Sequence, residues 1–303
     1  MERWIMFGQR RREKRVSLKQ AEARLGFLLM LPAILLIFSI IVYPIMYNIY
    51  LSFHKVSLSP MKPHKFVGAS NYLKLFSDES FLRSLLTTFM YVIITVVFST
   101  IVGLLVALLM NREFRGRKFA RSLIILPYVA PVISTVFVWQ YMFNRIYGVV
   151  NYLTVDILYL FKDAPMWFDH PLFSLMLVVL FDTWRVFPYS FMMILAGLQS
   201  IDNSLYEAAE VDGARAWSKF WHITLPEILP IIRSLVILRS IWNFYKFEDI
   251  YLLTKQVPVI GVYLYETAFS VNNHGLAAAI TVVLFCIIMT FVLFVGRKVF
   301  KRA

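Results

Sequence analysis

Residues 204–226, SLYEAAEVDGARAWSKFWHITLP, form a polar, mixed-charge island between two long apolar segments. The spacing predicts two short helices separated by a glycine. Ser204 and Glu207 have capping-box spacing, in which the hydroxyl accepts from a first-turn N–H and the carboxylate reaches back to the cap. Leu205, Ala208 and Ala209 share one face at i, i+3, i+4. Gly213 stands where the first helix should stop, because a left-handed C′ position costs glycine little and a branched residue a good deal. Ala214, Trp217, Phe220 and Trp221 repeat the spacing on a second short helix. Thr224 and Glu227 then make a second capping box, with Pro226 in a first turn that needs no N–H. An alternative use of these residues is an amphipathic helix lying on lipid headgroups, a depth that suits Trp217, Phe220 and Trp221. That alternative explains neither Gly213 nor the ending from Ile223 to Pro226.

The flanking segments set the class of the protein. Of 303 residues, 59% are hydrophobic and only 16% charged, and mean hydropathy is +0.67, so the chain belongs in a bilayer. The net charge of +13 does not point to nucleic acid, because the Lys and Arg sit in short loops between apolar runs and read as topology. The lone Cys286 lies inside an apolar run, which excludes an internal disulfide and a thiolate metal site.

Six spans are expected, at about 27–53, 85–110, 122–143, 172–198, 227–250 and 276–295. The first carries no charge and exceeds the roughly 30 Å hydrocarbon thickness. It is too long and too bulky for a secretory signal, and Pro32 and Pro44 predict bends in it. Before it, residues 1–26 form a basic tail that includes Arg10, Arg11, Arg12, Lys14 and Arg15; Arg297, Lys298, Lys301 and Arg302 follow the last span. Nineteen basic residues then fall in segments assigned to the cytoplasm against eight outside, which places both termini and the 200–226 loop in the cytoplasm of a multi-pass inner-membrane protein. The expected fold is all-α and polytopic, with residues 27–303 as one six-span domain.

A charge inside a span costs on the order of 2.5–3.5 kcal/mol, so it usually faces a cavity or a partner. Only two spans carry such charges. On the fourth, Asp182, Arg185 and Tyr189 make one stripe; on the fifth, Arg239, Asn243 and Lys246 make another. Two polar stripes on neighbouring helices predict a wet path for a hydroxyl-rich solute. The competing assignments are a local Asp182–Arg185 ion pair, an Arg239 contact to another subunit, and a proton-relay role for Asp182 in an ion- or proton-coupled secondary carrier. Enzyme chemistry finds no support: none of the eleven glycines precedes a lysine, so no P-loop is present, and neither HExxH nor a histidine cluster suggests zinc.

Glu207, Ala208, Ala209, Gly213, Ile223, Leu225 and Pro226 reproduce without a gap the EAA-x3-G-x9-I-x-L-P loop, and the chain resembles the binding-protein-dependent ABC importer permeases. Phe66, Val67, Gly68, Asn71 and Tyr72 match an FVG-x-x-NY element of the same family. IILPYVAP, WRVFPYSFMMILAGLQSIDNSLYEAAEVDGA and FEDIYLLT are similar to the maltose, trehalose and glycerol-3-phosphate class of sugar permeases. The resemblance implies a coupling helix docked on an ATPase, with Glu207, Ala208, Ala209 and Gly213 carrying the coupling. It also implies a second permease subunit, an ATPase dimer binding ATP and Mg, an external solute-binding protein, and no cofactor or metal on this chain. Carried over by position, solute contact falls to Tyr128, Asp182, Arg185, Tyr189, Asn243 and Lys246. Asp182, Arg185 and Lys246 are charged where the maltose-type pattern is not. The usual glycine-glycine-proline after LLT is replaced by Lys255, Gln256, Val257 and Pro258.

Overall fold

The structure, a computed structural model, describes residues 18–59 and 61–300, without the side chains of 18–21 and 295–300. Residues 1–17 of the basic tail, with Arg10 to Arg15, lie outside the described residues, as do Lys301, Arg302 and the side chains of Arg297 and Lys298. The chain forms two compact units, 1–50 and 51–303. Among the described residues five helices are long and apolar enough to cross a membrane, or six if one bent pair counts as a single span.

In the first unit, α1 (Leu18–Ile37) passes through a π turn (Phe38–Val42) into α2 (Tyr43–Ser52). Where the sequence predicts a bend at Pro44, the helix widens into a π turn, and residues 22–52 remain one continuous span. A proline ring inside a helix clashes with the carbonyl four residues back, here that of Ile40. Widening that turn moves the carbonyl aside, and the Tyr43 N–H bonds Phe38 five residues back. Pro32, in contrast, sits within α1 without a break in the helix.

The second unit opens with a two-residue hairpin, β1 (His54–Lys55) antiparallel to β2 (Lys65–Phe66), followed by α3 (Ser70–Phe76). The Asn71 amide donates to the carbonyls of Ser52 (2.8 Å) and His54 (3.1 Å), so the asparagine of the FVG-x-x-NY element ties residues 52–54 to α3.

Its centre is the pair α4 (Glu79–Asn111) and α8 (Pro171–Gln199). The buried face of α4 is a ladder of small residues, Ser84, Thr88, Thr95, Ser99, Gly103 and Ala107. Without a hydrophobic drive between helices in lipid, such residues let backbones approach and gain dispersion contact. At Gly103 the approach is closest: a Cβ there would stand 2.5 Å from the Ser190 Cβ and 2.9 Å from the Phe191 nitrogen. One core cluster, with Phe81, Tyr91, Trp139 and Phe181, joins α4 and α8 to the segments after the fifth span. A second, with Ala107, Phe191, Ile194, Ile228 and Leu235, packs their other ends against α11 (Leu225–Phe244).

The expected third span is not straight. α5 (Arg117–Val129) and α6 (Val132–Met142) meet at 93°. Ala130 precedes Pro131 and is therefore pushed out of the helical region, to φ −61°, ψ 139°. After it, α7 (Val149–Asn151) and a π turn (Tyr152–Ile157) lead to α8. The fifth span also differs from expectation: α11 ends at Phe244 rather than at 250, and a new helix, α12, runs Glu248–Leu253. α13 (Ile260–Tyr265) and a π turn (Glu266–Ser270) then precede α14 (His274–Phe300). Side-chain bonds tie these last segments to α3–α4: Tyr263 donates to Asp78 (2.7 Å), and the Ile260 N–H to Thr88 Oγ1 (2.7 Å).

Candidate functional site

The polar island folds as α9 (Asn203–Val211) and α10 (Ala216–Lys219), the latter continuing through a π turn (Phe220–Thr224) into α11. The cap of α9 is Asp202, whose carboxylate accepts from the Ser204 N–H at 2.9 Å. The expected Ser204–Glu207 box is displaced by this ionised acceptor, which makes the stronger bond. Gly213 has φ +76°. Ala214 N–H donates to Ala209 O (2.8 Å) and Gly213 N–H to Glu210 O (3.0 Å), the bond pair of a Schellman ending. The second expected box does not form. Thr224 is itself helical and makes no side-chain cap, because the widened turn before Pro226 carries α10 into α11 without a break. Glu207 and Ala208 are exposed, and Ala209 is half-buried toward its own chain.

At mid-span, Asp182 of α8 reaches two cations on the chain that follows. Its carboxylate accepts from Arg239 of α11 at 3.3 Å and from Lys246. Lys246 lies past the end of α11, so it does not continue the helical stripe of Arg239 and Asn243; the break at 245–247 turns it back, and its ammonium also meets Asp249 at 3.0 Å. Asp182 (1% exposed), Asn243 (1%) and Arg239 (3%) are buried between helices, and Tyr91 stands wholly buried beside Asp182. The local Asp182–Arg185 pair does not form. Arg185 instead borders a cavity of about 390 Å³ lined also by Val132, Tyr245, Lys246 and Asp249, and its Nε has no partner among the described residues. The amide of Asn243 is unpartnered there too. Tyr128 and Tyr189 stack at 5.9 Å, and Tyr189 meets Trp242 at 5.3 Å, so α5, α8 and α11 share an aromatic band next to the charges.

Residues 99–302 match the family described as binding-protein-dependent transport system inner membrane component. The chain belongs to that family. It is 53% identical over 274 residues to the inner membrane ABC transporter permease protein YcjO of Escherichia coli (strain K12), covering 90% of this chain and 94% of that one. To the trehalose/maltose transport system permease protein MalF of Thermococcus litoralis it is 33% identical, covering 94% and 97%. Among solved structures, a bacterial ABC transporter that imports the acidic polysaccharide alginate superposes with a TM-score of 0.77 at 22% identity, over 93% of this chain and 97% of that one. This permease is thus a multi-pass inner-membrane transport subunit without an ATPase of its own, and the secondary-carrier alternative is not favoured.

Of the permease's structural features, sequence reasoning missed Asp249 and Trp242. Asp249 was visible in FEDIYLLT, one residue before the expected end of the fifth span and five past the observed end of α11. Trp242 gave no periodic signal, since its contact is made across helices. Among the described residues no group of three His, Cys, Asp or Glu side chains is placed to hold a metal ion.

Proposed function

We propose that this chain is the membrane-spanning subunit of an ATP-driven importer for a carbohydrate, which reaches it from an external solute-binding protein and passes between this chain and a second permease subunit. ATP and Mg bind to a separate ATPase dimer, which grips the 200–226 loop at α9, with Glu207 as an acidic contact, Ala208 allowing close approach, and Ala209 and Gly213 seating the helix and its turn. The basic segments put both termini and this loop in the cytoplasm, with the six-span domain at 27–303. The relatives named for trehalose and maltose support the sugar class.

The observation that carries this function is the short helix α9, which presents Glu207, Ala208 and Val211 to the outside and ends in a glycine-dependent turn. A helix of nine residues is marginal alone, so an exposed one held at both ends suits docking. Arg185 and Lys246 line the cavity of about 390 Å³, and solute contact is assigned to them and to the stacked Tyr128 and Tyr189, where rings offer apolar faces and the cations offer donors to hydroxyls. Asp182 holds Arg239 and Lys246, and the amide of Asn243 has no partner among the described residues.

The test is ATP-dependent uptake in proteoliposomes holding the complete complex, with maltose and trehalose as probes, alongside this chain alone. Uptake that needs the ATPase subunits and ATP is expected. Full uptake by this chain alone would end the proposal.

A further inference from the structure

α9 is tied to its own chain at two points, and the two ties are in register only because of the π turn. Tyr206 and Glu210, four apart, share one face of α9. The Tyr206 and Thr224 hydroxyls share a hydrogen bond at 2.9 Å, and Lys219 donates to Glu210 at 2.7 Å. Lys219 and Thr224 are five apart. In an α-helix, at about 100° per residue, they would diverge by about 140°. In the π turn each N–H bonds five residues back, as Leu225 does to Phe220, and Thr224 comes to lie over Lys219, its hydroxyl donating to the Lys219 carbonyl at 3.4 Å. Thr224 is buried and Tyr206 half-buried. Half-buried Ala209 lies on the tied side, whereas Glu207, Ala208 and Val211 lie on the open one.

We propose that Tyr206–Thr224 and Glu210–Lys219, set in register by the π turn, form a rigid strut that carries displacement of α9 into α11 and so to Arg239 and Asn243. The inference rests on the coupling role given to this loop above. These four are positioning residues: their side chains face the strut, and the open face of α9 remains for the ATPase. A single flexible joint would let α9 rock while α11 stayed still. Two ties spaced a helical turn apart remove that rotation.

The test uses the whole complex in nanodiscs with a Cys286→Ser background and spin labels at Asn203→Cys on α9 and Ser234→Cys on α11. Distances are read with and without ATP and vanadate, and ATP hydrolysis is measured on the same samples. With the strut intact, one distance is expected that does not change with nucleotide. Tyr206→Phe or Thr224→Val should raise a second, nucleotide-dependent population about three- to ten-fold, the worth of one net hydrogen bond, while hydrolysis continues. Thr224→Ser should restore the single distance, and exchange of Glu210→Lys with Lys219→Glu should do the same where each single reversal does not. The strut is overturned if the distance moves with nucleotide in the parent complex, or if it stays single in Tyr206→Phe, Thr224→Val and Lys219→Glu alike. A parent complex that retains no ATPase overturns the coupling role itself, and the strut with it.

Discussion

Replacing Asp182 with Asn keeps the side-chain volume and removes one negative charge between two buried cations. The consequences for the two are unequal. Lys246 keeps Asp249 at 3.0 Å. Arg239, with 4% of its side chain exposed, has Asp182 as its carboxylate partner among the described residues and is left as an uncompensated buried charge. Breaking a buried pair from one side costs about 3–5 kcal/mol, which should lower the melting temperature of the purified complex by on the order of 10 °C. Arg185→Gln is the control on the same helix: its Nε has no partner among the described residues, so its cost should stay below about 1 kcal/mol. Removing both charges, with Asp182→Asn and Arg239→Gln together, should recover part of the loss, because no cation is stranded. The assay is thermal unfolding followed by tryptophan fluorescence. The reasoning is refuted if Asp182→Asn melts with the parent, or if Arg185→Gln melts below it.

Gly103→Val should prevent accumulation of folded protein, since even its Cβ would lie 2.5 Å from that of Ser190; immunoblotting of membranes checks this, and normal levels would show that α4 and α8 are not so closely packed. Gly213→Asp forces a branched side chain into φ +76° at about 1–2 kcal/mol, so the spans should still insert while the ATPase fails to co-purify. The Tyr263 hydroxyl donates to Asp78 and, with the Ser80 N–H, holds that carboxyl below its ordinary value against the opposing effect of burial. A depressed carboxyl contributes stability above its unfolded value and loses it as pH falls through the folded one. Tyr263→Phe should therefore lower the melting temperature at pH 7 and make less difference near pH 3, below the ordinary carboxyl range of about 4. Equal differences at both pH values would remove this assignment.

The apolar runs, the basic loops and the EAA pattern were legible because each depends on nearby residues: helix length against bilayer thickness, charge against position, and a left-handed turn against the one residue without a Cβ. The widened turn before Pro44 has its signal in that proline, though the span is not broken there, and the prolines of LPYVAP carried the signal for the 93° break in the third span. The partners of Asp182 were not legible. Arg239 and Lys246 lie 57 and 64 residues away, and the nearer cation, Arg185, had the better helical spacing yet faces the cavity. The long apolar helices and the glycine-ended turn after α9 therefore followed from composition and local spacing alone. Which cation neutralises Asp182, and which faces of α9 are tied or free, were decided only by tertiary structure, because both depend on the angle at which separate helices pack and on where one of them stops.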